Sequence, residues 1–483
     1  MGARLVWAAV PPPVVRMPPS PTGFFHVGNA RTMLYNWLFA RHAGGRVVLR
    51  FEDTDRARST EAAIEQAEQV LRWLGIDWDD GPYRQTLRFD LYAAAAADLV
   101  ERGAAFRCYC TEEELAAERE RRQAAGLPLI YSGRCRRLPD DERRRFEVEE
   151  RPSTIRLAMP ETGTTAIDDV VRGRVEWENA LLGDHVILRS NGSPTYQFAN
   201  PFDDIAMGVT HVIRGEDLLS STPRQLALYA ALGADPPIYA HLPMVLGPDR
   251  KKLSKRHGAI SVEEFRDGGI LPEALVNYLA LVGWSYDDRT EVMSVPELVS
   301  RFTLERVNPS AGVFDPEKLE WLNGEHLRAL APAEFVATVQ RFLEDSGSTL
   351  AGQPERVAQA APLVQQKLRT LAQFERLTAF LFGPLVVDDG AWSRVAADEN
   401  APRSLLAARD ALADADRWEA DAIGAALVAA SDREGLNRRV VYMPVRVAIS
   451  GSTVSPGLYE SLELLGREES LARLDAALER LAR

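Results

Sequence analysis

At 483 residues the chain is too long for one ordinary core, and 46% hydrophobic with 26% charged residues is a globular composition able to fill two to four domains. A net charge of −13 argues against a nucleic-acid partner unless cations are concentrated locally. No apolar run is long enough to span a bilayer, so no membrane association is expected, and three cysteines confined to residues 108–135 fit a reducing cytoplasm and not a disulfide framework.

The short apolar run at residues 5–10 is broken by prolines and reads as extra N-terminal residues, not a signal peptide. Val14-Val15 starts a strand, and a proline- and glycine-rich turn follows. A helix pattern then opens, with apolar residues at Ala30, Met33, Leu34, Trp37 and Leu38. His26 and Gly28 sit where that helix starts. Free N–H groups and partial positive charge at a helix N-terminus suit a phosphate. Gly28 lets a ligand approach the backbone, and His26 offers a donor beside it. Taken alone, a surface histidine on a turn explains the same residues equally well.

Residues 47–52 read as a buried strand that ends in the polar cluster Asp53-Thr54-Asp55-Arg56, at the edge where ligands of open α/β sheets gather. A helix through Ala67, Val70, Leu71 and Leu74 follows, then a loop over residues 75–82. This alternation predicts a parallel sheet. From about Ala104 the pattern changes: a charged helix over 112–125, a basic stretch over 134–145, and strands at 154–157, 170–177 and 185–189, with Asn191-Gly192 as a hairpin turn. These predict an inserted α+β domain. Parallel order resumes at 210–214, with a helix at 223–232 and a last strand at 241–246. A glycine-flanked loop dense in cations, residues 247–258, comes directly after it; a solvated basic loop is its simplest reading. Beyond it the pattern is helical, for example at 272–281, 362–380 and 471–481.

Two stretches taken together change the reading. His26-Val27-Gly28-Asn29 and Lys252-Leu253-Ser254-Lys255-Arg256 resemble the two signature sequences of class I aminoacyl-tRNA synthetases. Ser20-Pro21-Thr22-Gly23, Glu52-Asp53-Thr54-Asp55, Pro194-Thr195-Tyr196, Asp203-Asp204 and Arg214-Gly215-Glu216-Asp217 extend the likeness. So does the run from Met443 to Gly451. Jointly they resemble bacterial glutamyl-tRNA synthetases over nearly the whole chain. Pro18, Phe24-Phe25, the short Gly81-Pro82-Tyr83, Phe202 and Leu218 stand where the family often differs.

The resemblance implies an α/β fold: a Rossmann-type parallel sheet with an inserted α+β acceptor-binding domain, followed by all-α stem-contact and anticodon-binding domains. The expected boundaries are 1–92 and 198–246 for the catalytic domain and 93–197 for the acceptor-end insert. Residues 247–330 would form the stem-contact domain with the second signature, and 331–483 the anticodon-binding domain. The implied activity is ATP-dependent ligation of L-glutamate to the 3′ end of its tRNA through glutamyl-adenylate, in a cytoplasmic monomer. ATP would be held by His26, Gly28, Asp217, Lys252, Ser254 and Lys255, with magnesium on its phosphates. His26, Lys252 and Lys255 would stabilise the charge that builds there.

The family's glutamate pocket maps onto Arg16, Ser20, Glu52, Tyr196, Asn200 and Arg214. The chemistry agrees: forked arginine donors suit carboxylates, and Glu52 suits the α-ammonium. Activation of glutamate would need bound tRNA. Cys108, Cys110, Tyr131 and Cys135 resemble a zinc cluster of some members, a tetrahedral structural site. Lys367 falls where relatives place a helical arginine that checks the last anticodon base, and lysine lacks that planar fork. The alternatives are a truncated paralogue that glutamylates a modified tRNA base, a glutaminyl-tRNA synthetase with a β-barrel C-terminal half, and a non-catalytic tRNA-binding protein.

Overall fold

Strand β1 (Val14–Met17) pairs in parallel with β2 (Arg46–Phe51), in the register Val14↔Arg46 to Met17↔Leu49. Both are almost wholly buried, which is why they read as apolar runs without alternation. The computed structural model describes residues 11–23, 25–251, 253 and 261–483. The reading of residues 5–10 and the departure at Phe24 therefore lie outside the described residues. Helix α1 (Val27–His42) connects the two strands and α2 (Glu61–Trp73) follows β2.

The stretch expected to be loop over 75–82 ends in a third strand, β3 (Asp80–Arg84), parallel to β2. Its Asp-Gly-Pro sequence carries no strand propensity and its side chains are largely exposed, so only backbone pairing makes it a strand. Gly81 has φ +102°, and a Cβ there would run into the Leu49 carbonyl. Glycine is what lets this edge strand approach.

The chain then leaves the sheet through α3 (Phe89–Glu101), β4 (Ala105–Cys108), α4 (Glu112–Ala124), α5 (Asp140–Val148) and β5 (Thr154–Leu157). The strand expected at 170–177 is instead a hairpin. β6 (Thr164–Asp169) and β7 (Gly173–Glu178) pair antiparallel, and Val170, Val171 and Arg172 form the turn. Asp169 explains the break: its Oδ1 accepts the N–H groups of Val171 (3.0 Å) and Arg172 (2.8 Å), closing the turn despite two β-branched residues. β8 (Val186–Leu188) completes the antiparallel order β4-β5-β8.

After α6 (Tyr196–Ala206), β9 (His211–Gly215), α7 (Thr222–Leu232) and β10 (Ile238–Leu242) restore parallel order. The expected strand at 241–246 ends at Leu242, because Pro243 has no N–H to continue the ladder. Val245–Leu246 (β11) pairs separately with Gly312–Val313 (β12). Thr210 stitches β9 to β1: its N–H donates to the Val14 carbonyl (2.9 Å), and its hydroxyl accepts the Val14 N–H (2.8 Å). Strand order thus runs from β1 to β2 and β3 on one side, and from β1 to β9 and β10 on the other. The reversal at β1 and β9 is a topological switch point, where a crevice opens at the strands' carboxyl ends. Tyr92, Leu99, Ile155, Ile187, Phe198 and Leu228 share one core, so inserted strands and sheet-side helices are packed together.

By compactness the chain divides into residues 1–264 with 275–315, and residues 265–274 with 316–483. The second unit is helical among its described residues, with Pro316–Ala329, Pro332–Asp345, Ala401–Ala413, Ala420–Glu434, Arg438–Ser450 and Arg467–Leu481 its main helices. The helix expected over 362–380 is not continuous. A single 3-10 turn, Ala361–Leu363, leads into turns, and helix resumes only at Gln373–Thr378. Tertiary bonds take the groups that a helix would use. Asn323 Nδ2 donates to the Arg369 carbonyl (2.6 Å), and the Leu371 N–H donates to the Gly269 carbonyl (2.9 Å).

Candidate active site

The switch point holds a cavity of about 510 Å³. Arg16, Ser20, His26, Gly28, Glu52, Tyr196, Arg214 and Asp217 all line it. Residues from both expected subsites thus face one space. Asn200 does not line the cavity. It stands behind Glu52, donating Nδ2 to the Glu52 carboxylate while its Oδ1 accepts from Arg50. Lys252, Ser254, Lys255 and Arg256 lie outside the described residues. The described residues that flank them are placed: Leu253 lines the cavity and its N–H donates to the Val245 carbonyl (3.3 Å), while Ser261 forms an antiparallel bridge with His26.

His26 is the N-cap of α1. Its Nδ1 accepts the N–H groups of Gly28 (3.1 Å) and Asn29 (3.4 Å). This modifies the expectation of open helix N–H groups, since the ring itself takes two of them. A neutral imidazole that accepts at Nδ1 carries its proton at Nε2. A Cβ at Gly28 would lie 3.1 Å from the ring, so glycine keeps the imidazole folded over the helix end. Asp217 folds back over Gly215 in the same way, in a space a larger residue would fill.

Under the cavity lies a buried ionic cluster that the sequence reading did not assign. Arg50 pairs with Asp204 (2.8 Å), and more distantly with Asp203 (3.8 Å) and Glu52 (3.9 Å). Arg16 pairs with Asp204 at 3.4 Å. Burial pulls the Arg50 guanidinium down, but the three carboxylates outweigh it and hold the charge. Burial pushes the Glu52 carboxyl up to about 7, against the pull of Arg50 and Arg16. An arginine inside an otherwise apolar buried strand was the available signal for Arg50.

Arg214 is buried and spends all five N–H groups on the protein. Nε donates to His241 Nε2 (3.0 Å), and Nη1 to Gln225 Oε1 (2.7 Å) and Tyr196 Oη (3.4 Å). Nη2 donates to Thr222 Oγ1 (2.8 Å) and the Leu218 carbonyl (3.4 Å). None of these partners is a carboxylate, so the cavity holds a buried cation that its direct partners leave unneutralised.

Away from the cavity, the sulfurs of Cys108, Cys110 and Cys135 lie within 4.8 Å of one another. The Tyr131 hydroxyl is 3.5 Å from Cys108 Sγ and 3.8 Å from Cys110 Sγ, and it accepts the Cys135 N–H (2.8 Å). Hydrogen bonds from Cys110 and Cys135 hold the Cys108 thiol far below the ordinary range, while Cys108 and Cys135 push Cys110 up. In the second unit, Lys367 lies in a turn, not on an α-helix, and its ammonium donates to the Ser455 carbonyl (2.7 Å).

A doubly wound parallel sheet, a histidine-capped helix and a cavity with charged side chains at the switch point match the expected architecture of a class I synthetase catalytic domain, and comparison with known proteins agrees. The family described as tRNA synthetases class I (E and Q), catalytic domain, matches residues 13–321, and an anticodon binding domain matches residues 334–478. Glutamate--tRNA ligase of Moorella thermoacetica is 44% identical over 476 residues, covering 96% of this chain and 97% of that protein. The enzyme of the same name from Thermodesulfovibrio yellowstonii is 44% identical over 464 residues, covering 95% and 98%. A crystal structure of a glutamate tRNA ligase from Elizabethkingia meningosepticum, in complex with its amino acid, superposes with a TM-score of 0.86 at 30% identity, covering 97% of this chain and 100% of that one. The chain belongs to the glutamate--tRNA ligase family. Its second unit is helical and carries the matched anticodon domain, with no β-barrel among its described residues. No helix among the described residues is long and apolar enough to cross a membrane.

Proposed function

We propose that the chain charges the tRNA for glutamate with L-glutamate, using ATP and a glutamyl-adenylate intermediate. One observation carries this reading: carboxylate-binding and phosphate-binding side chains line the same cavity. Arg214 takes the side-chain carboxylate and Glu52 the α-ammonium, with Arg16, Ser20 and Tyr196 completing the pocket and Asn200 holding Glu52 from behind. The α-carboxylate is then left to attack the α-phosphorus of ATP, and pyrophosphate leaves. The terminal ribose hydroxyl of the tRNA next attacks the activated carbonyl, and AMP leaves. His26, Gly28 and Asp217, with Lys252, Ser254 and Lys255, hold the nucleotide. Magnesium, when bound, neutralises its phosphates. The protein's task is positioning and charge stabilisation.

Charging of purified tRNA for glutamate with labelled glutamate tests this reading, and the pH dependence sharpens it. Ionised Glu52 binds an ammonium and protonated Glu52 does not. With its carboxyl near pH 7, glutamate affinity should rise with pH. The glutamate KM is expected to fall about tenfold from about pH 6 to about pH 8, while Glu52→Gln gives a high KM without that slope. Absence of charging at every pH rejects the function. Charging with the same slope in Glu52→Gln removes Glu52 from the ammonium site.

Cys108, Cys110 and Cys135 hold one structural zinc, with Tyr131 nearest to the fourth position. Zinc–sulfur bonds of about 2.3 Å in a tetrahedron need sulfurs about 3.8 Å apart, a spacing this cluster meets with small adjustment. Burial and the neighbouring thiols keep the Tyr131 phenol protonated, which makes it the weak member. Elemental analysis of protein purified without chelator is expected to give about one zinc per chain. Well under one overturns the assignment.

A further inference from the structure

Two buried side chains that the proposed chemistry does not use, Asp169 and His241, end on an arginine that it does. Asp169 closes β6, and His241 lies on the neighbouring β10. Both side chains are fully buried, with His241 Nδ1 2.6 Å from Asp169 Oδ2. At the far edge of the imidazole, Nε2 receives the Arg214 Nε–H at 3.0 Å. A guanidinium N–H can only donate. Nε2 is therefore the acceptor, and the ring proton sits on Nδ1, toward the carboxylate. Burial holds the ring's pKa below its ordinary value, and the Arg214 charge adds to this against the pull of Asp169, so the ring stays neutral. Thr222 closes the circuit: its hydroxyl accepts from Arg214 Nη2 (2.8 Å) and lies 3.2 Å from His241 Nε2.

The bonds of Arg214 divide by length. Those to His241, Gln225 and Thr222 are 3.0, 2.7 and 2.8 Å, and none of these partners lines the cavity. Those to Tyr196 and the Leu218 carbonyl are both 3.4 Å, and both partners do line it. An entering carboxylate displaces the two long bonds while the three short ones hold the fork in place.

We propose that Asp169 and His241 are positioning residues for glutamate: the carboxylate fixes the tautomer of the imidazole, and the imidazole fixes the plane in which Arg214 meets the substrate. This rests on the reading of Arg214 as the ligand of the substrate carboxylate. Asp169→Asn separates the two duties of Asp169. Its amide oxygen, in the place of Oδ1, still accepts the backbone N–H groups of Val171, Arg172 and, at 3.2 Å, His241, but its NH₂ faces the His241 ring and demands an acceptor at Nδ1. The ring proton then moves to Nε2 and opposes the Arg214 N–H. Such a tautomer exchange at unchanged geometry is known to disable catalytic triads.

The test is steady-state aminoacylation by the full-length enzyme with its tRNA, titrating glutamate and ATP separately. Asp169→Asn is expected to raise the glutamate KM about tenfold or more, and to move the ATP KM less than about twofold. His241→Gln keeps an acceptor near Nε2 and cuts the link to Asp169. In that background Asp169→Asn should add less than about twofold. Equal costs in both backgrounds, or an unchanged glutamate KM where Arg214→Ala raises it, overturn the relay. An unchanged KM in Arg214→Ala instead overturns the reading of the pocket itself. Nitrogen NMR of histidine-labelled enzyme gives a second readout, with the His241 signal assigned by its loss in His241→Gln. A proton on Nδ1 in the wild type, moved to Nε2 by Asp169→Asn, is expected. A proton on Nε2 in the wild type overturns the proposal even if Asp169→Asn does not fold.

Discussion

Arg214→Ala is expected to raise the glutamate KM about a hundredfold or more, since losing one partner of a buried, hydrogen-bonded charge pair costs about 2–5 kcal/mol. Arg214 carries an unmet charge. Arg16 has Asp204 and Arg50 has three carboxylates, whereas Arg214 reaches a carboxylate only through His241. A substrate carboxylate supplies what the fold withholds. Arg214→Lys should recover little, because an ammonium cannot reproduce the three bonds to His241, Gln225 and Thr222 while also meeting the ligand. Glutamate titration at saturating ATP and tRNA measures the effect. A shift of only a few-fold would show that the substrate carboxylate is held elsewhere.

His26→Asn is expected to lower turnover by about a hundredfold to a thousandfold, the size of losing one donor to a developing oxyanion, and to leave the melting temperature nearly unchanged. Two roles meet in His26, and asparagine separates them. The ring's Nδ1 caps α1, and asparagine is among the best N-caps. The Nε2–H, proposed to serve the phosphates, has no equivalent in the shorter side chain. His26→Ala should lose both, with about 1 kcal/mol of stability from the missing cap. Single-turnover charging together with thermal melting distinguishes the roles. Full turnover in His26→Asn would reduce the first signature to a capping motif.

Local pattern made part of this legible in sequence. The apolar run of β2 and the periodicity of α1 announce themselves. β3 did not, because an exposed Asp-Gly-Pro strand exists only through its neighbour. The 170–177 run looked like one strand because Asp169 makes its turn by side-chain capping, which hydropathy does not register. The helix over 362–371 failed for the opposite reason, as partners at Asn323 and Gly269 claim its backbone groups. Arg16, Glu52 and Arg214 were named through resemblance. Asp203-Asp204 was legible only as a shared run without a role, and the other residues that tune those side chains, Arg50, Gln225, His241 and Asp169, were not named, because their contacts join positions separated in the chain. At Lys367 the charge was legible but the local structure was not: it sits in a turn and not on the expected helix, with its ammonium on the Ser455 carbonyl.

The pairing of Val14 with Thr210 across 196 positions bears on how the protein is made. During synthesis the first strand emerges early, yet the neighbour on its open side is translated only after the entire inserted segment. β1 can associate with β2 at once, but the other half of the sheet must wait while the nascent chain carries an unsatisfied, largely apolar edge. Such edges invite strand addition from other chains, and closing a contact of this span is intrinsically slow. Ribosome-bound intermediates of this fold are therefore natural clients for chaperones until residue 242 has cleared the exit tunnel.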